Sequence, residues 1–154
     1  MRVRILGSTA SSLAVRGGDG PWFLVSLGDE RVRRTTLEPG LPTALEGSSL
    51  TVEVFPVGGE ASGLVFRDRA TGGVMTYAPA LGRLDDGLLC RFEASDVVLV
   101  DGDVRPGDER AWLAALARLE RPRKALVHVK DAPEREALIR ADVRVAQDGF
   151  ELEL

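Results

Sequence analysis

Residues 63–102 read GLVFRDRATGGVMTYAPALGRLDDGLLCRFEASDVVLVDG. Gly63–Arg67 and Gly73–Tyr77 are short apolar runs, predicted as strands. Asp68–Gly72 between them is rich in turn formers, so the pair reads as a hairpin. Asp85–Glu93 has helical spacing, with Asp85 or Asp86 placed to accept backbone N–H groups at its start. Asp96–Val100 is wholly apolar after its first residue, the pattern of a strand buried on both faces. A hairpin followed by a helix and a buried strand marks the point where a meander turns into alternating helices and strands.

Working outward, the N-terminal side predicts further strands at Val3–Leu6, Ser12–Val15, Trp22–Leu27 and Leu50–Pro56. Trp22–Leu27 is nearly all apolar and is expected to be buried. Gly28–Gly47 holds at most a short helix around Asp29–Arg34, because Pro39, Gly40, Pro42 and Gly47 break any regular pattern. On the C-terminal side, Glu109–Leu119 is predicted as a helix with Trp112, Leu113, Leu116 and Leu119 on one face. Lys124–Val129 reads as a buried strand, and Pro133–Arg140 as a helix with proline in its first turn. Val143–Ala146 and Phe150–Leu154 read as a closing hairpin around Asp148–Gly149. Strands first, then helix–strand alternation, predict an α/β domain of sheet layers covered by helices.

Composition narrows the function classes. The chain has 154 residues, enough for one domain with a sizeable core, and its 44% hydrophobic and 29% charged residues are ordinary for a globular protein. A net charge of −4 argues against a general attraction to nucleic acid or anionic lipid. The one cysteine, Cys90, excludes an internal disulfide and a cysteine-based zinc site, which suits the cytoplasm. Cys90 is expected in the core beside Leu89. No stretch approaches the roughly 18 apolar residues of a membrane span, and Met1–Gly7 lacks the apolar run of a signal peptide.

The pieces resemble, in order, the pyrroloquinoline quinone biosynthesis protein B family of the metallo-β-lactamase superfamily. MRVRILGS at 1–8 is similar to that family's opening strand and glycine turn, and SSLAV at 11–15 to its second strand. WFLVSLGDERVRR at 22–34 resembles its third strand and following helix, and Thr51–Pro56 the strand opening its second half. Residues 63–102 resemble its strand, hairpin, Tyr-Ala-Pro turn, helix and strand ending in Asp-Gly. ALVHVKDAPEREALIRADVRVAQDGFELEL at 125–154 resembles its closing strand, helix and hairpin. The resemblance implies a shortened sandwich of two mixed sheets with covering helices. It also implies that Asp101 and His128 stand at strand ends facing the superfamily's metal site.

The departures bear on chemistry. The superfamily's HxHxDH signature would lie between Arg34 and Leu50, where there is no histidine, and the chain has only one in total. A two-metal hydrolytic centre needs several imidazoles and a bridging carboxylate, so no metal and no cofactor is expected. His128 is then either a histidine satisfied by a backbone carbonyl or a surviving ligand or general base. Asp101-Gly102-Asp103 is either a turn leaving a strand or half of an acid–base pair. Asp131 reads as a helix cap. Gly7–Ser12 reads as a small-residue turn, and Arg31, Arg33 and Arg34 as a solvated helix face.

Two functions follow. One is a non-catalytic relative that keeps the fold as a binding or scaffolding module for a protein or peptide, in cofactor or peptide-derived natural product biosynthesis. The other is a minimal metal-dependent hydrolase or oxygenase using Asp101 and His128. A homodimer is expected, because helices are well supported only after Asp85 and a sheet face of the first half is left for a second copy to cover.

Overall fold

The computed structural model describes residues 1–7, 12–20, 22–26, 39–58, 61–78, 85–101, 109–127, 135–146 and 149–154. Two sheets pack face to face. The smaller holds β1 (Arg2–Gly7), β2 (Ser12–Arg16), β3 (Phe23–Ser26) and β11 (Glu151–Glu153), in the order β11-β1-β2-β3. It is antiparallel throughout. The larger holds β4 (Thr43–Ala44), β5 (Leu50–Gly58), β6 (Ala61–Asp68), β7 (Val74–Ala78), β8 (Val97–Asp101), β9 (Arg123–Val127) and β10 (Val143–Val145), in reverse sequence order. This sheet is mixed. β4 to β7 form an antiparallel meander, and β7, β8, β9 and β10 run parallel. The helices α1 (Asp86–Glu93), α2 (Glu109–Ala117) and α3 (Arg135–Arg140) are the crossovers that parallel pairing requires.

Alternation along the strands builds two cores. Val97 and Leu99 of β8 join Val3, Ile5, Val15, Leu152 and Tyr77 between the sheets. Val98 and Val100, pointing the other way, join Leu88, Phe92, Leu113, Leu116 and Leu138 under the helices. A strand buried on both faces must be apolar at every position, which is why 97–100 read as an unbroken run. Asp85 caps α1, its carboxylate accepting from the Leu88 N–H at 2.8 Å. Among the described residues, no helix is long and apolar enough to cross a membrane.

Four expectations change. Val143–Ala146 and Phe150–Leu154 do not form a hairpin: β10 lies parallel to β9 in the larger sheet, and β11 lies antiparallel to β1 in the smaller. The chain crosses between sheets here, with the Ala146 N–H bonded to Leu126 O and the Gly149 N–H to Ile5 O. Gly149 has φ near +80°, so the turn chemistry is as read, but it serves a corner rather than a hairpin. Cys90 is exposed, because the buried stripe of α1 is set by Leu88 and Phe92. β3 is a terminal strand of the sheet order, and Trp22 just before it is 41% exposed rather than buried. The small sheet is antiparallel where a mixed sheet is expected. The helix expected at Asp29–Arg34 lies outside the described residues.

On the outer face of the small sheet, described side chains meet water through charge pairs and an aromatic ring. Arg2 pairs with Glu153 and Arg4 with Glu151 across β1 and β11. Trp22 lies against the guanidinium groups of Arg4 and Arg16, 5.5 and 5.2 Å from its ring centre. Ala14, on the same row as Arg4, is buried.

Candidate functional site

The parallel strands β7 to β10 all point one way, so their carboxyl ends share one edge of the large sheet. Open α/β sheets place ligands outside such an edge, on the loops that leave it. The register aligns these ends: Ala78 stands opposite Val100, Asp101 opposite Val127, and Val145 opposite Leu126. Asp101 is the last residue of β8, and its pairing partner Val127 immediately precedes His128 in the chain. His128 itself lies outside the described residues. So do Asp103, Asp131, Arg31, Arg33, Arg34 and residues 8–11 of the small-residue turn. Among the described residues, no three His, Cys, Asp or Glu side chains gather as a metal-holding group.

Four polar or charged residues are buried among the described residues: Asp68, Thr76, Ser95 and Lys124. Each has a structural task. The Asp68 carboxylate accepts from the Ser49 hydroxyl at 2.5 Å and the Ala70 N–H at 3.0 Å, and faces the α-ammonium of Met1 at 3.1 Å. Burial pushes this carboxyl up. The Ser49 and Ala70 hydrogen bonds, with the bond and charge of the Met1 ammonium, outweigh burial and hold the pKa at about 2. The Lys124 ammonium donates to the carbonyls of Leu116 and Leu119, closing the end of α2 from the neighbouring strand. Burial lowers its pKa, against the opposing charge of Asp142. Thr76 and Ser95 share a 2.7 Å hydroxyl contact, and Ser95 donates onward to Arg91 O.

The sequence reading did not single out these groups. Asp68 reads as a turn residue and Lys124 as the polar start of an apolar strand. Only the alternation that sets Lys124 on the same face as Leu126 hints at burial. All four hold strands or helix ends together, and none stands at the carboxyl edge with Asp101.

No protein-family model matches the chain. It is similar to coenzyme PQQ synthesis protein B of Pseudomonas fluorescens strain SBW25, 36% identical over 129 residues that cover 64% of this chain and 43% of that protein. The corresponding protein of Cupriavidus necator is 33% identical over 129 residues, covering 64% of this chain and 42% of its own length. The chain thus spans less than half the length of these curated relatives. Among solved structures, Zn²⁺-bound PqqB from Methylobacterium extorquens superposes with a TM-score of 0.61 at 23% identity, covering 77% of this chain and 51% of that one. The metallo-β-lactamase fold protein YhfI from Bacillus subtilis superposes with a TM-score of 0.56 at 12% identity, covering 77% and 53%. The chain is thus similar in sequence to coenzyme PQQ synthesis protein B and shares the metallo-β-lactamase fold of these solved structures.

Proposed function

We propose that the chain is a non-catalytic, PqqB-like binding or scaffolding protein acting in the cytoplasm, in pyrroloquinoline quinone or peptide-derived natural product biosynthesis. The pathway rests on the coenzyme PQQ synthesis proteins that share its sequence. The non-catalytic role rests on one observation: 154 residues contain a single histidine. The superfamily's metal chemistry needs several imidazoles around its ions, and this donor set does not fit a two-metal centre. No catalytic step is therefore routed through a metal here.

Elemental analysis of protein purified without chelators tests the reading. The expected result is no stoichiometric transition metal; one iron or zinc held per chain would overturn it. The second reading, a minimal metal-dependent hydrolase or oxygenase, is favoured by the register that sets Asp101 beside Val127, the residue before His128. A mononuclear site on these two groups needs a further ligand from a second subunit. Self-association belongs to both readings. Among the described residues, Leu6 and Trp22, 46% and 41% exposed, are apolar groups that pairing through the small sheet would cover.

A further inference from the structure

An exposed strand edge is a row of unpaired N–H and C=O groups, and proteins blunt such edges unless they are used. The large sheet ends on β4 at one side and β10 at the other. The β4 edge is blunted: the strand has two residues and follows directly on Pro42. In the small sheet, β11 is engaged as well, since Arg123 donates to Glu153 O at 2.7 Å. β10 has no such cover among the described residues.

The geometry of β10 shows which groups it leaves open. The Ala146 N–H bonds to Leu126 O of β9. Successive residues of a strand direct their N–H and C=O groups to opposite sides. Arg144 therefore bonds toward β9, and the backbone groups of Val143 and Val145 face outward. Two exposed apolar side chains belong to this part of the fold, Ile139 of α3 at 68% and Val145 of β10 itself at 40%. Arg140 and Arg144 are exposed beside it, and neither makes an ion pair among the described residues. Asp142, whose charge acts on Lys124, is the one described carboxylate between them.

We propose that the free side of β10 binds an extended acidic peptide segment by strand addition. Strand addition draws affinity from main-chain hydrogen bonds and selectivity from side chains at alternate positions. Here the outward groups of Val143 and Val145 supply the first, and the charges of Arg140 and Arg144 with the apolar surface of Ile139 and Val145 supply the second. A second copy is the poorer occupant. A two-fold pairing of β10 with itself sets Arg144 opposite Arg144, and like charges directly opposite destabilise a strand pair. The proposal rests on reading the chain as a binding module. Metal content does not bear on it, so the two fail separately.

The test is fluorescence anisotropy with a labelled hexapeptide of alternating valine and glutamate, titrated with the intact chain. Saturable binding is expected, with the matching valine–lysine peptide about tenfold weaker or worse. Val145→Pro removes an outward N–H without touching the β9 ladder, and Arg144→Glu reverses the facing charge. Each is expected to weaken binding about tenfold while circular dichroism stays unchanged. Should Val145→Pro disturb the fold, the surface change Arg144→Glu still decides. No saturable binding, or equal affinity for both peptides and an undiminished affinity in Arg144→Glu, overturns the proposal. A two-chain mass that Val145→Pro abolishes would show a second copy as the occupant, and would overturn it too.

Discussion

Replacing Gly63 with alanine sets two physical effects against each other. Glycine is a poor strand residue, and Gly→Ala in a strand interior gains roughly 0.5–1 kcal/mol from backbone entropy alone. The structure demands the opposite outcome. Gly63 lies directly across the ladder from Phe55. A Cβ on Gly63 would meet Phe55 Cζ at 2.4 Å and both Cε atoms at 2.8 Å. The ring cannot retreat freely, because it is 2% exposed and the Arg91 guanidinium lies 4.9 Å from its centre. Arg91 is itself fixed by Glu53 at 3.0 Å. Overpacking of this kind costs about 1–3 kcal/mol. For a chain of this size that lowers Tm by about 3–10 °C. Urea unfolding followed by circular dichroism measures the change, and Phe55→Leu in the same chain tests its cause. The ring gone, the alanine should be tolerated, so the double variant should be more stable than the sum of the singles by at least about 1 kcal/mol. A Gly63→Ala protein as stable as the parent, or strictly additive variants, would refute the stacked arrangement of Arg91, Phe55 and Gly63.

Further outcomes follow from the same contacts. Asp68→Asn should destabilise the fold, since the Asp68 side chain is fully buried against the Met1 ammonium and the Ser49 hydroxyl. Its folded pKa of about 2 lies below the ordinary 3.8. The parent should therefore hold about 2 kcal/mol above pH 4 that it loses as pH falls through 2, and urea midpoints of Asp68→Asn should lack that acid dependence. Cys90 should react stoichiometrically with a thiol reagent in the native protein; protection until unfolding would return it to the core. Light scattering at micromolar concentration is expected to give twice the 16.6 kDa of one chain, and a concentration-independent single-chain mass would end the dimer proposal.

The local and periodic part of the fold is written in the residues themselves. The hairpin over 63–77, a cap at Asp85 or Asp86 and the four-residue apolar run of β8 were legible, because turn chemistry, capping and two-face burial each leave a mark within a few residues. The absence of a histidine cluster was legible too, since it is a count. The order of the matching pieces was enough to indicate the fold and the proteins the chain is similar to.

Tertiary structure alone decided the rest. Gly149 reads the same in a hairpin as in a corner between sheets, and only the partners of Ala146 and Gly149, Leu126 and Ile5, show that the two strands part. Cys90 and Leu88 both lie among apolar neighbours in sequence, and the position of the sheet beneath α1 selects Leu88 and Phe92 for burial. Asp68 became a structural charge through Met1 and Ser49, both distant in sequence, and Lys124 through the Leu116 and Leu119 carbonyls at the end of α2. Asp101 gained its place from the parallel register with β9. Pairing between segments far apart in the chain depends on how whole faces pack, and no local window of residues carries that information.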